Sequence, residues 1–249
     1  MQKLRLRYTK RGRLRFTSHR DIARVFERAL RRAQVPMAYS AGFSPHPKVS
    51  WVGAAATGVA SEAEYVEISL AEWREPEQVR RALDAALPDG IDLVEAVEAP
   101  AGTSLPDRVQ ASSWEVRLPQ VDQAVLAGAV AAFLAADSVE VERLTKDGRR
   151  RFDARAAVVS MAAASDEACA ILRMVVQHVT PAVRPDDVLS GLRAVSDLVT
   201  PVPPAALRLA QGPLTADGEV ADPLAPDRFA AGKPGASAGA TRQVDEVVG

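Results

Sequence analysis

The sequence predicts an α+β fold built from two successive units of strand, helix, strand, strand, helix, strand, followed by a disordered C-terminal tail. Three observations predict it. Two-residue apolar alternation gives way to helical periodicity and back again between Leu4 and Val97. A similar order restarts at Trp114, and beyond about Thr200 the chain turns to Pro, Gly, Ala and Asp with no apolar period. These shifts place the expected boundaries at 1–100, 111–199 and 200–249.

Apolar and basic residues alternate over Lys3 to Tyr8 and again over Arg13 to Phe16, with Lys10, Arg11 and Gly12 between them. The expectation is a hairpin with one apolar face and one arginine face. Ser18 opens a helix, with Asp21 as the returning carboxylate of a capping box, and the helix runs to about Gln34 before Pro36. Its apolar positions Ile22, Val25, Phe26, Ala29, Leu30 and Ala33 keep the helical period and face the sheet. Arg20, Arg24, Arg28 and Arg31 fall within about 80° of one another at 100° per residue, a basic stripe along another side.

Lys48 to Ala56 and Glu64 to Leu70 read as strands around a turn at Gly58 to Glu62. Pro76 starts a helix through Leu87, Pro88-Asp89-Gly90 ends it, and Ile91 to Val97 is a further strand. This order is the ferredoxin-like split βαβ pattern. The second unit reads as a strand Trp114 to Leu118, a helix Val121 to Ala135, strands Val139 to Leu144, Ala154 to Ser160 and Cys169 to Gln177, and a helix from Pro185 to about Val195. No final strand stands out. The fold expected is therefore tandem ferredoxin-like halves, the second degenerate, and the run AAGKPGASAGATRQ belongs to the tail.

A chain of 249 residues that is 47% hydrophobic can bury a substantial core. The single cysteine, Cys169, excludes a disulfide framework and a thiolate metal cluster. No window approaches 18 consecutive apolar residues, and the N-terminus lacks the apolar core of a signal peptide. A cytoplasmic protein with no membrane association is expected. With three histidines, one cysteine and no paired-carboxylate motif, neither a metal site nor a cofactor is expected. Phosphate-loop, dinucleotide and serine-nucleophile motifs are missing as well.

The net charge of -1 conceals a separation of signs. Residues 1–51 hold thirteen Lys and Arg against Asp21 and Glu27, a net of +11, and the remainder carries 18 basic against 30 acidic residues, -12. Such asymmetry suits a polyanionic partner or an acidic protein. It also suits self-complementation, in which Glu62, Glu64, Glu67, Glu72, Glu75 and Glu77 fold over the basic segment.

The segment from Tyr39 to Lys48 is the most unusual. Pro45 and Pro47 bracket His46 and stiffen it in an extended conformation. Gly42 permits a turn or a close backbone approach to a ligand, Tyr39 and Phe43 offer rings on which bases could stack, and Lys48 can meet a phosphate. The competing reading is a rigid connector whose aromatics plug the core. His19, at the start of the arginine-rich helix, could pair with His46 as acid and base for RNA cleavage, although a capping or packing histidine is commoner. His178 has no evident partner in sequence.

Several of these residues form an ordered set: Phe16-Thr17-Ser18-His19-Arg20-Asp21, Glu27-Arg28-Ala29-Leu30-Arg31-Arg32-Ala33, Gly42-Phe43-Ser44-Pro45-His46-Pro47-Lys48 and Ser61-Glu62-Ala63-Glu64-Tyr65. They resemble the radical SAM-linked protein family, the DUF2344 domain, over about residues 2–195. Arg149 to Arg155 looks like its second basic motif, with Phe152 and Ala154 departing from the aliphatic residues expected there, and Thr180 to Val188 resembles its C-terminal motif. The resemblance implies a radical SAM protein as partner and no activity of the chain's own.

The function expected is a non-catalytic accessory protein of a radical SAM enzyme that binds RNA, tRNA or rRNA. The binding residues expected are Arg5, Arg7, Arg13, Arg15, His19, Arg20, Arg24, Arg28, Tyr39, Gly42, Phe43, His46 and Lys48. One alternative is a docking module for the radical SAM partner without RNA. Another is a metal-independent endoribonuclease using His19 and His46.

Overall fold

The computed structural model describes residues 1–146, 148–166 and 169–231. The disorder expected for 232–249 lies outside the described residues. Among the described residues the architecture is mixed α+β: a large mixed sheet, a separate two-stranded hairpin and five helices.

The first part of the chain runs β1 (Gln2–Lys10), α1 (His19–Arg32), β2 (Val49–Val52), β3 (Ala60–Leu70), α2 (Pro76–Asp84) and β4 (Leu93–Glu98). Its strands lie in the order β4-β1-β3, with β2 on the other edge of β3, all antiparallel. The expected hairpin does not form. Both edges of β1 are taken by β3 and β4, which leaves no place for a returning neighbour. Arg11 donates its backbone N–H to Gly90 at 2.8 Å, and Gly12–Phe16 then forms a 3-10 turn.

The second part runs β5 (Ala111–Pro119), α3 (Gln123–Ala135), β6 (Glu140–Thr145), β7 (Gly148–Asp153), β8 (Val158–Ser165), β9 (Cys169–Gln177), α4 (Pro185–Val195), β10 (Ala205–Gly212) and α5 (Ala225–Ala231). Strands β10-β5-β9-β8 are antiparallel neighbours, and β6 and β7 form the separate hairpin. The two parts join where β10 runs parallel to β3, with Leu207 opposite Ala60 and Arg208 opposite Ser61.

Residues 200–231 therefore correct the expectation of a disordered tail. The Ala205–Gly212 segment lacks a strong apolar alternation because a strand in the middle of a sheet is held by ladders on both edges. Its register with β5 extends from Ala205 opposite Arg117 to Gly212 opposite Ala111.

Two apolar cores lie under the helices. Leu4, Leu6, Tyr8, Val66 and Ile68 pack on Ile22, Phe26, Leu30, Val79 and Leu83. Trp114, Val116, Leu118 and Leu172 pack on Leu126, Phe133, Val188 and Leu192. The buried Arg208 side chain reaches Glu64 beside the first core and lies 5.5 Å from the Trp114 ring of the second, so both cores occupy the same face of the sheet. On the opposite face Leu105, Val109 and Leu224 close over Val52, Ala63, Tyr65 and Val97.

Candidate nucleic-acid interface

Helix α1 starts where expected. Ser18 Oγ accepts from the Asp21 N–H at 3.3 Å and donates to the Asp21 carboxylate at 2.7 Å, which holds that carboxyl below its ordinary range. Ile22, Phe26, Ala29 and Leu30 are buried against the sheet. Arg20, Arg24, Arg28 and Arg31 are exposed on the outer side. Arg24 pairs with Asp21 at 3.2 Å and Arg31 with Glu27 at 3.7 Å. Among the described residues, Arg13, Arg20 and Arg28 are exposed and make no ion pair.

Strand β1 distributes its arginines differently from the arginine face expected. Arg5 is fully buried: it donates to Glu67 at 3.1 Å, to both oxygens of Asp227 and to Thr103, so it is removed from any solvent-facing surface. Arg7 is half-buried, and its Nε donates to the Glu62 carbonyl at 3.1 Å. Arg15 is half-buried, its guanidinium 4.7 Å from the exposed Phe16 ring.

The acidic segment accounts for part of this. Glu62 takes Arg11, Glu67 takes Lys3 and Arg5, and Glu64 takes Arg208, while Glu72 and Glu77 serve Arg74, Arg80 and Arg81. Among the described residues, carboxylates from elsewhere in the chain thus neutralise Lys3, Arg5 and Arg11 of the basic segment, through Glu67, Asp227, Glu62 and Asp92. They leave the outer side of α1 and the loop after it charged.

That loop is a narrow protrusion. Ala38 donates to Ser69, Lys48 to Ala38 and Ser40 to His46 through backbone bonds of 2.8–2.9 Å, and the His46 N–H donates to Ser40 Oγ at 3.0 Å. Tyr39 and Pro47 face each other as a β-bridge. At the tip Gly42 has φ 128, a conformation that favours glycine. Phe43 beside it is fully exposed, Tyr39 is 52% exposed, and His46 and Lys48 are exposed too. These rings do not plug the core.

Trp51 of β2 anchors the inner side. Its ring stands edge-to-face with Phe26 at 5.1 Å, His19 at 5.2 Å and Tyr8 at 6.0 Å. Burial, reinforced by the Glu64 carboxylate, pushes the Tyr8 hydroxyl well above its ordinary pKa. Alongside lies an open groove between α1 and β2. No hydrogen bond or ring contact joins His19 to His46 among the described residues.

Sequence reasoning missed the buried polar seam. Arg208 bonds Glu64, Ser61 and Gln211, and the Gln211 side chain donates to the Ala63 carbonyl at 2.6 Å. Lys10 is buried, donates to the Ala56 carbonyl at 3.2 Å, and has its pKa lowered by desolvation. An arginine within the alanine-rich 205–212 run was the available signal. His178 also has partners: its Nδ1 lies 3.0 Å from the Val109 carbonyl and its Nε2 lies 2.7 Å from Ser112 Oγ. Since a carbonyl only accepts, Nδ1 carries the proton and Nε2 accepts from the serine.

Residues 3–185 match a family described as an uncharacterized protein conserved in bacteria, DUF2344. The chain belongs to the DUF2344 family. No curated protein matches it. A crystal structure of an unknown protein from Galdieria sulphuraria is similar at 16% identity over 83% of this chain and 98% of that one, with a TM-score of 0.24. DyPB from Rhodococcus jostii RHA1 aligns at 13% identity over 77% of this chain and 83% of that one, with a TM-score of 0.17. Among the described residues of this DUF2344 member, no helix is long and apolar enough to cross a membrane, and no group of three His, Cys, Asp or Glu is placed to hold a metal ion.

Proposed function

We propose that this DUF2344 protein is a non-catalytic, cytoplasmic RNA-binding accessory of a radical SAM enzyme, presenting tRNA or rRNA to that partner. The observation that carries the RNA reading is the junction of α1 and its following loop. Unpaired exposed arginines on the helix continue into a protrusion bearing an exposed Phe43, Tyr39 and Lys48. Arginines suit phosphates and rings suit unstacked bases, the combination that single-stranded RNA recognition requires. Arg13, Arg20, Arg24, Arg28, Tyr39, Phe43, His46 and Lys48 form the binding set, and Arg5 is excluded by its burial.

The scaffold proposed is a tandem ferredoxin-like fold. Each part runs strand, helix, strand, strand, helix, strand, and each orders its strands fourth, first, third, second if the β6–β7 hairpin is taken as an insertion. On this reading β10 is the final strand of the second half.

The test is RNA affinity measured against salt concentration, because phosphate contacts make binding fall steeply as salt rises. No binding at low salt, or no effect of neutralising Arg20 and Arg28, sinks the reading. The exposed Phe43 also fits the partner-docking alternative, since aromatic anchors concentrate binding energy at protein interfaces. Co-purification with the radical SAM partner that survives nuclease treatment favours that alternative.

A further inference from the structure

The groove beside α1 has a composition that the phosphate-and-stacking reading leaves unused. Ala23 of α1 lines one side and Val49 and Trp51 of β2 the other, with the core residues Phe26 and Leu30, 1% and 2% exposed, behind them. Pro47 closes the end nearest the protruding loop. The groove holds about 120 Å³ of space, well short of the ~300–1,000 Å³ typical of sites for whole small ligands, which limits it to one flat group. Its one charged lining residue is Glu27, held only loosely by Arg31 at 3.7 Å.

Around the helix, Arg20, Arg31 and Arg24 lie within about 60° of Glu27 at 100° per residue. A base entering the groove would therefore keep its phosphates beside cations. The half-buried Trp51 ring suits the face of a base, and the Glu27 carboxylate in the lining suits its edge. An ionised carboxylate only accepts hydrogen bonds, through two adjacent oxygens. Guanine alone among the four RNA bases presents two adjacent donors, N1–H and the N2 amino group, with no acceptor between them. Adenine and cytosine set a donor beside an acceptor, and uracil sets one N–H between two carbonyls.

We infer that the groove between α1 and β2 takes an unstacked guanine base of a single-stranded RNA, with Glu27 accepting from its Watson–Crick edge. This rests on the RNA-binding reading. It makes Glu27 the residue that determines base preference, while the arginines supply affinity that is blind to sequence.

The experiment uses the full chain and short uridine RNAs that differ at one central position, which carries guanosine, inosine, adenosine, cytidine or uridine. Fluorescence anisotropy titration should show the guanosine RNA binding roughly tenfold tighter than the other standard bases, within the range one bidentate contact discriminates. Inosine, which lacks the amino group, should fall between. Glu27→Gln should abolish the preference and keep the affinity for all-uridine RNA. Ala23→Leu, which adds bulk to the lining of the groove, should do the same while leaving the melting temperature near that of the wild type. Equal binding of all five RNAs by the wild type, or a preference that survives Glu27→Gln, overturns the inference and leaves RNA binding standing. If none of the RNAs binds at low salt, the functional reading falls with it.

Discussion

The Arg5 guanidinium donates to both carboxylate oxygens of Asp227, at 3.0 and 2.8 Å, across 222 residues of chain, and both side chains are fully buried. Arg108 adds a further bond to Asp227 at 2.9 Å. The pair fastens α5 to the sheet face opposite α1 to α4. Removing one partner of a buried pair strands the other charge away from water, at a cost of about 3–5 kcal/mol. Asp227→Ala should lower unfolding free energy by that amount in urea denaturation. A loss below about 1 kcal/mol would show that the contact is not made in solution.

The outer arginines should behave in the opposite way. Changing Arg13, Arg20 and Arg28 together to Gln removes no ion pair, so the melting temperature should stay close to wild type. If each meets a phosphate of single-stranded RNA, the slope of log affinity against log salt should fall by about 2, at ~0.7 per contact. An unchanged slope places the RNA elsewhere on the protein.

Phe43 touches no core cluster, so Phe43→Ala should leave stability intact. Loss of one base-stacking platform should weaken RNA binding by about 1–3 kcal/mol, read from titration at fixed salt. A destabilised variant with normal affinity would return Phe43 to a packing role.

His178 gives a pH dependence of defined sign. Burial lowers its pKa from 6.5, with Arg208 adding to the effect and the Val109 carbonyl opposing it. The neutral ring is the folded form, so its contribution is complete above about pH 6.5. It is lost as the pH falls from there through the lower folded value, because the unfolded chain binds the proton first. Its imidazole resonances, followed by NMR, should titrate below 6.5. A titration at or above that value contradicts the arrangement with Ser112.

Two helical glycines form a matched pair. A Cβ on Gly191 would lie 2.7 Å from Phe133 and 3.1 Å from Val139, whereas nothing lies within 4 Å of one on Gly128. Gly191→Ala should destabilise by about 1–3 kcal/mol through overpacking. Gly128→Ala should stabilise by about 0.5–1 kcal/mol through helix propensity. Thermal melts that show both variants moving in the same direction would contradict the packing of α4 on α3.

What the sequence determined by itself is local. The Ser18 cap, the outward arginines of α1, the apolar face that buries Phe26, and the bounds of β9 all follow from interactions spanning a few residues, which one stretch of chain expresses whatever surrounds it. At Tyr39 to Lys48 the prolines and the glycine constrain their own backbone and so were legible, but whether the rings plug the core or stand free was decided only by the tertiary structure, which exposes both Tyr39 and Phe43. Only the tertiary structure decided the fate of β1. Its alternation was read correctly as a strand, but the partners that make it central lie some sixty and ninety residues away, so the nearby Arg13 to Phe16 segment was credited with a pairing it does not make. Arg5 and Arg208 carry the same lesson. An arginine's sequence looks alike whether it faces water or a carboxylate, and Asp227 and Glu64 reach them only once the distant strands have come together.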